Sequence, residues 1–253
     1  MTTLRLATEH DTAIITLTRA EKRNAISFAM MDDLRLALAE ASSARVTILT
    51  GEGKAFCAGM DLEMLQASQQ AHEDSRPQAE KMAALFLSIY RFPKPLIAAV
   101  NGAAIAGGCG LATLCDFTIA VPEAKFGYSE VRIGFLPALV SVFLTRQIAE
   151  KHATDLLWTG RLIDAAEALR IGLITEVVPA DRLMARAREL AALLAANSPE
   201  SLMRTKRLVR AYSKDEIDRD IEVALAENTT IRETADFREG VAAFLEKRPP
   251  KWS

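Results

Sequence analysis

Two runs of small residues, each directly after a strand-like segment, constrain the fold of this chain most. They are residues 54–62 (KAFCAGMDL) and residues 100–110 (VNGAAIAGGCG). Glycine and alanine at such points let a backbone N–H approach a ligand without an intervening side chain. Two turns of this kind that face each other would present a pair of fixed donors to one oxygen atom, which stabilises a developing negative charge. We therefore expect the two turns to meet and form an oxyanion hole.

The glycines of the second run have two alternative explanations. A dinucleotide-binding G-x-G-x-x-G pattern fails because its last glycine would fall at Thr113, and no Lys-Ser/Thr pair follows as in a phosphate-binding loop. What remains is a strand, a small-residue turn and a helix N-terminus, whose free N–H groups favour negative charge. Tight packing alone also explains either turn taken singly.

Strand-like and helix-like segments alternate in the first half and predict an α/β layer structure. Short apolar or β-branched runs predict strands, and apolar residues at helical spacing predict helices. The strands are expected at residues 13–18, 46–50, 96–100 and 117–121, and the helices at 28–40 and 76–90. The polar run that opens residues 64–81 predicts a mobile loop over the site.

From Pro137 onward the pattern is helical. Pro137 suits a first helical position, Asp164 with Glu167 forms a capping box, and Gly172 suits the end of that helix. Further helices are expected to begin at residues 198–200 and 236–239, and the last must end at residues 249–250, a Pro-Pro pair. We expect a core at residues 1–180 and a helical subdomain at residues 181–253.

Composition narrows the functional classes. The net charge is −2 without a basic block, which gives no support for nucleic-acid binding. The three cysteines do not suggest a disulfide framework, and the N-terminus lacks the apolar core of a signal peptide, so a cytoplasmic location is expected. Residues 95–115 are uncharged over 21 positions, but Asn101 and four glycines favour a strand, a turn and a buried helix over a membrane span.

Other reactive residue types form no recognisable site. His10, His72 and His152 lack metal-ligand spacing, so no metal is expected. The sequence also lacks the G-x-S-x-G motif that carries the nucleophilic serine of many hydrolases, so a serine hydrolase triad is not expected. Cys57 and Cys109 lie beside the expected oxyanion hole, although small buried cysteines are common.

Glu130 is the candidate acid. It stands in residues 126–137 (FGYSEVRIGFLP), an apolar setting for a carboxylate. Burial there would raise its pKa and make it a better proton shuttle near neutral pH. A surface glutamate paired with Arg132 explains the same pattern, and the pattern alone favours that interpretation.

Five separated segments resemble, in order, those of the enoyl-CoA hydratase/isomerase (crotonase) superfamily. They are residues 19–25, 56–62, 101–110, 126–137 and 243–248. The resemblance implies a crotonase-type spiral of ββα units with a C-terminal helical subdomain, assembled as a homotrimer or as a hexamer (a dimer of trimers). It also implies an acyl-CoA thioester as substrate, with coenzyme A as part of that substrate and no separate cofactor.

The resemblance also implies roles for particular residues. The backbone N–H groups of Met60 and Gly107 would hold the thioester oxygen, and Glu130 would be the catalytic acid/base. Residues expected to contact the substrate are Lys22, Arg23, Ala25, Ala58, Asp61, Leu62, Gly108, Pro137, Phe244 and Lys247.

One departure from the superfamily pattern bears on the reaction. Typical hydratases carry a second glutamate at the position of Gly110, where it helps to activate water. Moving a double bond from C3 to C2 needs only one base, because the same group can take a proton from C2 and return it to C4. Residues 138–140 (ALV) replace a glycine-rich run and could exclude water.

These features favour Δ3–Δ2 enoyl-CoA isomerisation. The alternatives are a 2-enoyl-CoA hydratase that works with one glutamate and a non-catalytic acyl-CoA-binding protein. Acyl chain length and pathway are not predicted.

Overall fold

The strands divide between two sheets, and helices pack around them. The computed structural model describes residues 1–70 and 74–253. The strands are β1 Leu4–Glu9, β2 Thr12–Leu17, β3 Val46–Gly51, β4 Ala55–Cys57, β5 Leu96–Val100, β6 Ala103–Ile105, β7 Phe117–Ala120, β8 Lys125–Gly127, β9 Ile163–Asp164 and β10 Glu176–Val177. The helices are α1 Phe28–Ala41, α2 Leu62–Gln70, α3 Arg76–Tyr90, α4 Gly107–Thr113, α5 Ala138–Gln147, α6 Glu150–Thr159, α7 Ala165–Arg170, α8 Leu183–Ala195, α9 Pro199–Ala211, α10 Lys214–Arg232 and α11 Ala235–Leu245.

From β3 to β8, successive strands alternate between the two sheets. The larger sheet has the order β1-β2-β3-β5-β7-β10, and the smaller has the order β4-β6-β8-β9. Thus β3 and β4, β5 and β6, and β7 and β8 each give one strand to each sheet before the chain enters a helix. All pairings are parallel except β1 with β2 and β8 with β9. This repetition of ββα units confirms the predicted α/β spiral.

The central strands are buried on both faces, as parallel strands covered by helices usually are. In β3 all residues except the last are buried, and β5 is buried throughout. Their apolar side chains belong to one core cluster that also contains the inner faces of α1, α3 and α5. The carboxyl ends of these strands therefore have fixed positions, and the two small-residue turns begin there.

The C-terminal helices pack against the rest of the chain. Helix α8 lies on β3 and β5, while α10 contacts α3 and α5. Helix α11 contacts α2 and the short 3-10 helix Glu130–Ile133. The boundary at residue 180 stays a prediction, but the tail clearly supplies walls close to Glu130.

Several predicted helix ends are confirmed in detail. Asp164 caps α7 by accepting a hydrogen bond from Glu167 N at 2.8 Å, although the Glu167 carboxylate accepts from Arg161 rather than closing the capping box. Gly172 follows α7 with a φ of +79°. Ser198 caps α9.

Three expectations at element boundaries were wrong. Pro137 precedes the first residue of α5. The last helix begins before Asp236, because the Thr234 side chain accepts a hydrogen bond from Phe237 N at 3.2 Å and caps it. The expected loop within residues 64–81 is largely helical, since α2 reaches Gln70 and α3 starts at Arg76. His72 lies outside the described residues.

The uncharged segment 95–115 forms β5, β6 and α4, as predicted. None of the helices in residues 1–70 and 74–253 combines the length and the apolarity that crossing a membrane requires.

Candidate active site

The two small-residue turns are in direct contact. Gly59 has a φ of +92°, and a Cβ built on it would lie 3.0 Å from Ala106 Cβ and 3.6 Å from Gly107 N. A Cβ on Gly108 would lie 2.2 Å from the carbonyl oxygen of Cys57. A side chain at either glycine would push the turns apart. The glycines therefore serve close packing and also keep two backbone segments within reach of one ligand atom.

Each turn carries a backbone N–H suited to hold an oxygen. Gly107 is the first residue of α4, so its N–H has no carbonyl one turn earlier to bond within the helix. In the first turn, Ile26 N donates to Gly59 O and Asp61 N donates to Ile26 O, so the N–H of Met60 takes no part in that pair of bonds. Both Met60 and Gly107 line one cavity.

Ala106 holds the second turn in an unusual backbone conformation. Its φ is +53° and its ψ is −128°, a combination that a non-glycine residue adopts only when its surroundings enforce it. Ala106 N donates to Gly127 O at 2.8 Å, and Ala106 O accepts from Gly110 N at 3.1 Å. These bonds fix the peptide that joins Ala106 to Gly107, and so they fix the direction of the Gly107 N–H.

The segment around Arg23 lies alongside the first turn. Ala58 N donates to Arg23 O at 3.0 Å, and the buried Asn24 side chain donates to Ala55 O at 2.9 Å. Arg19 donates to Asp61 Oδ2 at 3.0 Å. The backbone of this segment is thereby held beside the cavity, which Arg23 lines.

The two turns, α3, α5 and the tail helices enclose a cavity of about 290 Å³. Its wall is mainly apolar, with a few polar side chains. The lining residues are Arg23, Ala58, Met60, Leu62, Leu65, Ala79, Met82, Phe86, Ile105, Ala106, Gly107, Ser129, Glu130, Ile133, Phe135, Leu136, Pro137, Ala138, Leu139, Val140, Asn228, Arg232 and Phe244.

Glu130 is a buried carboxyl group in this wall. Its exposed fraction is 8%, and its Oε2 atom has no hydrogen-bond partner among the described residues. Burial raises the pKa of Glu130 from its ordinary 4.5 to about 7, because the charged form loses its hydration. The interpretation of a surface glutamate paired with Arg132 was therefore wrong. A carboxyl group with such a pKa can take up and return a proton near neutral pH.

The cysteines beside the site are not activated. Burial raises the pKa of both Cys57 and Cys109 to about 12. The nucleophilic thiolate is therefore scarcely populated near neutral pH, which disfavours either thiol as a nucleophile.

The structure brings together eight of the thirteen residues that the sequence nominated for the site. The eight that line the cavity are Met60, Gly107, Glu130, Arg23, Ala58, Leu62, Pro137 and Phe244. They come from five separate chain segments, so the shared cavity is a property of the fold.

The other five nominated residues lie outside the cavity wall. Lys22 pairs with Glu63 at 2.8 Å, and Asp61 pairs with Arg19. The Ala25 carbonyl accepts a hydrogen bond from Arg19. Gly108 is buried against Cys57, and Lys247 is exposed just after α11.

Sequence reasoning missed the part of the wall that comes from α10. Asn228 and Arg232 are four residues apart, so they share one face of this helix. The buried side chains Ile217, Ile221 and Leu225 form the rest of that face. The sequence does contain a signal for these two residues, because they are polar and yet continue the apolar stripe of the helix.

The comparisons with known proteins agree with this geometry. A family model described as Enoyl-CoA hydratase/isomerase matches residues 7–253. A Thermus thermophilus protein whose name places it among enoyl-CoA hydratases is 42% identical over 244 residues, covering 95% of this chain and 96% of the relative. The 2,3-dehydroadipyl-CoA hydratase of Escherichia coli is 34% identical over 256 residues, covering 99% of this chain and 98% of its own.

A solved structure gives the same result for the fold. The crystal structure of an enoyl-CoA hydratase from Mycobacterium avium has a TM-score of 0.89 and 33% identity, with 100% of both chains covered. Sequence and fold agree over nearly the whole length. The chain belongs to the enoyl-CoA hydratase/isomerase family.

Proposed function

We propose that this enzyme moves the double bond of a 3-enoyl-CoA thioester to C2, with Glu130 as the proton shuttle. One observation carries the proposal: Glu130 is the sole carboxylate among the described residues that line the cavity. Isomerisation needs one group that removes a proton from C2 and returns it to C4. Hydration also needs a group that orients and activates water.

The site suits the charge that this reaction develops. Removing the C2 proton places negative charge on the thioester oxygen of a dienolate, and the N–H groups of Met60 and Gly107, two residues that line the cavity, would bind that oxygen. Glu130 in its ionised form accepts the proton and is then neutral, a form that its buried setting favours. Delivery of the same proton to C4 regenerates the carboxylate and yields the 2-enoyl thioester.

Part of the cavity wall disfavours water. Leu139 and Val140 are buried and line the cavity, and a Cβ on Gly110 would lie only 2.8 Å from Val140 Cγ1. The place where typical hydratases carry a second glutamate is therefore filled by Val140. Apolar groups there reduce the room for a hydrogen-bonded water molecule.

Hydration of 2-enoyl-CoA with one glutamate is the second candidate. The hydratase names of the relatives from Thermus thermophilus and Escherichia coli favour it. A purely acyl-CoA-binding role is disfavoured by Glu130, since a protein without catalysis has no need to bury a carboxyl group.

For the CoA portion, we propose that Arg23 and Phe244 contact the ligand at the cavity. Arg23 lines the wall, and Phe244 does so with 59% of its surface exposed. An exposed aromatic side chain beside a cation suits the adenine and phosphates of CoA. Lys22 and Lys247 would contribute from outside the wall.

The test is to offer purified enzyme 3-hexenoyl-CoA and 2-hexenoyl-CoA in separate reactions and to follow both products by chromatography. We expect rapid formation of the 2-enoyl thioester from the first and slow formation of the 3-hydroxy thioester from the second. Efficient hydration with little isomerisation would replace the proposal by its alternative. Tight binding of both thioesters without turnover would leave only the binding role.

A further inference from the structure

Arg19 lies next to the first small-residue turn, outside the cavity wall. Its Nη1 atom donates to the Ala25 carbonyl oxygen, and its Nη2 atom donates to Asp61 Oδ2 at 3.0 Å. The side chains of Arg19 and Asp61 are 19% and 12% exposed, so little water competes for these bonds. Asp61 directly follows Met60, whose N–H we assign to the thioester oxygen.

A chain of hydrogen bonds runs from Arg19 to the peptide group of Met60. The Ala25–Ile26 peptide is trans, so its C=O and its N–H point in opposite directions. Its C=O accepts from Arg19, and its N–H donates to Gly59 O at 2.7 Å. The Gly59–Met60 peptide is also trans, and because its C=O points to Ile26 N, its N–H points away from Ile26. The guanidinium therefore stands at one end of two aligned peptide groups, and the proposed oxyanion donor stands at the other.

This alignment affects the strength of the donor. A charged group at one end of a hydrogen-bonded chain polarises the groups along it, by about 10–30% per bond. Ile26 and Gly59 are buried, so the chain runs through a medium of low dielectric constant. The charge of Arg19 therefore makes the N–H of Met60 a better donor to an oxygen that becomes negative.

Arg19 also balances a charge that would oppose the proposed reaction. The Asp61 carboxylate lies one residue after Met60, and without a partner it would repel negative charge on the thioester oxygen. The ion pair with Arg19 offsets this repulsion. Removing Arg19 would thus weaken one donor and leave a repulsive charge beside it.

We propose that Arg19 is a positioning residue of the oxyanion hole, which orients and polarises the N–H of Met60 through the two intervening peptide groups. The inference rests on the proposed binding of a thioester oxygen by Met60 and Gly107. Arg19 acts on charge that develops during the reaction. Its removal should therefore lower kcat, while the affinity for acyl-CoA changes little.

The test measures how strongly the site polarises the thioester carbonyl, which needs no turnover. Hexanoyl-CoA labelled with ¹³C at the carbonyl carbon is bound at saturation, and its carbonyl stretch is read by isotope-edited infrared difference spectroscopy. Wild-type protein should lower the stretching frequency relative to the free ligand in water, because two N–H donors bind the oxygen. In Arg19→Met this lowering should be clearly smaller, and calorimetry should give an affinity within about threefold of wild type.

Arg19→Lys and Arg146→Met are the comparison variants. Arg19→Lys keeps a charged donor but cannot bridge both acceptors, so it should restore part of the frequency shift. Arg146 also joins a backbone carbonyl, that of Val142, to a carboxylate, that of Asp220, and its side chain is 28% exposed outside the cavity wall. Arg146→Met should therefore leave the shift unchanged.

Turnover of 3-hexenoyl-CoA gives a second measurement. Arg19→Met should lower kcat about tenfold at nearly constant KM, less than the roughly 10²- to 10³-fold that loss of an entire oxyanion-hole donor costs. Arg19→Lys should recover part of this loss, and Arg146→Met should match wild type.

Three results would overturn the inference. They are an unshifted carbonyl band in wild-type protein, the full shift in Arg19→Met, or an equal loss of shift in Arg146→Met, which would indicate a general loosening of the fold. Should Arg19→Met fail to fold, the neutral Arg19→Gln takes its place, with the same expected loss of shift. If only the isomerase function fails, 3-hexenoyl-CoA is not isomerised while the carbonyl shift remains measurable. Absence of hexanoyl-CoA binding in calorimetry would remove the proposed function and the inference together.

Discussion

At the scale of single residues, Glu130 is the group to which we assign the proposed proton transfer, and its Oε2 atom has no hydrogen-bond partner among the described residues. Most of the cavity wall around it is apolar, and Glu130 is the only acid among the described residues that line the cavity. We predict that Glu130→Gln lowers isomerase turnover by about 10² to 10⁴-fold, the usual contribution of general acid–base catalysis. Acyl-CoA affinity should change little, because the side chain acts on C2 and C4 and not on the CoA moiety.

Steady-state kinetics and calorimetry on the same preparations would check this. Arg132→Gln is the matched control, since Arg132 is an exposed charge in the same 3-10 turn. Its turnover should stay close to that of wild type. Full activity in Glu130→Gln would mean that the proton shuttle is another residue.

The raised pKa of Glu130 predicts two opposite pH dependences. The carboxyl ionises near 4.5 in the unfolded chain and near 7 in the folded one, so the folded state binds more protons between these values. Its contribution to stability is therefore complete below pH 4.5 and is lost as pH rises to 7, by at most about 3 kcal/mol. The base must be ionised to act, so kcat/KM should rise through pH 7.

Glu130→Gln removes the ionisation and serves as the reference. Urea unfolding between pH 5 and pH 8 should show the variant gaining stability relative to wild type as pH increases. A difference that is constant across this range would show that the carboxyl does not titrate abnormally.

Gly110 and Val140 should be energetically coupled, because Val140 fills the space beside Gly110. Gly110→Ala places a Cβ 2.8 Å from Val140 Cγ1 and 3.1 Å from Phe86 Cζ, which should destabilise the fold by about 1–3 kcal/mol. In a Val140→Ala background the cost should fall by about 0.5 kcal/mol or more. Denaturant unfolding of the four proteins measures this coupling.

Val142→Ala is the control for this double-mutant cycle of Gly110→Ala and Val140→Ala. Val142 is buried on the same helix, and it is not among the nearest atoms to Gly110. Gly110→Ala should cost the same with and without Val142→Ala. Equal costs in the Val140→Ala and wild-type backgrounds would contradict the packing argument.

At the scale of elements, the sequence predicted best those segments whose own pattern determines the structure. Helix α3 has the predicted bounds, Arg76–Tyr90, because one apolar face runs along its whole length. Helix α2 was missed because its sequence is mostly polar, and it is held in part by contacts with α11, which is far away in the sequence.

The same distinction applies to the site. The turns at Gly59 and Gly107 were predictable, because close backbone approach requires small residues locally. The contribution of Arg232 was not, since it depends on a contact between α10 and Gln78, far away in the sequence. Helical periodicity shows which face of α10 points inward but not which cavity that face reaches.

The close contact between the two turns predicts that a side chain at Gly108 destabilises the fold. Gly108→Ala places a Cβ 2.2 Å from a backbone oxygen of Cys57, which cannot move without separating the turns. We expect a loss of about 3 kcal/mol, at the upper end for overpacking, together with loss of turnover. Thermal unfolding followed by circular dichroism measures the first effect.

Gly107→Ala, at the neighbouring position, is the matched control for Gly108→Ala. Its Cβ would meet its nearest atom, Ile26 Cδ1, at 3.4 Å, which is ordinary contact. This variant should fold with nearly wild-type stability. If both variants were equally stable, contact between the turns would not depend on a glycine at position 108.

At the scale of the whole molecule, apolar surface remains uncovered in the single chain. Helix α9 has no buried residue, yet it carries Leu208 and Val209 with more than half of each exposed. Tyr212, just after this helix, and Leu193 on α8 are also largely exposed. Apolar residues this numerous on one end of a chain indicate a surface that another subunit covers.

We therefore predict a trimer-based assembly, as the family resemblance implies, with α9 in the contact between subunits. Light scattering at micromolar concentration should give three or six times the mass of one chain. Leu208→Asp should shift the mass towards that of a single chain, because a carboxylate buried between subunits is costly. Leu36→Asp, at an equally exposed position on α1, should leave the mass unchanged. A wild-type protein with the mass of one chain would rule out the assembly, and an unaffected Leu208→Asp would place the contact on another surface.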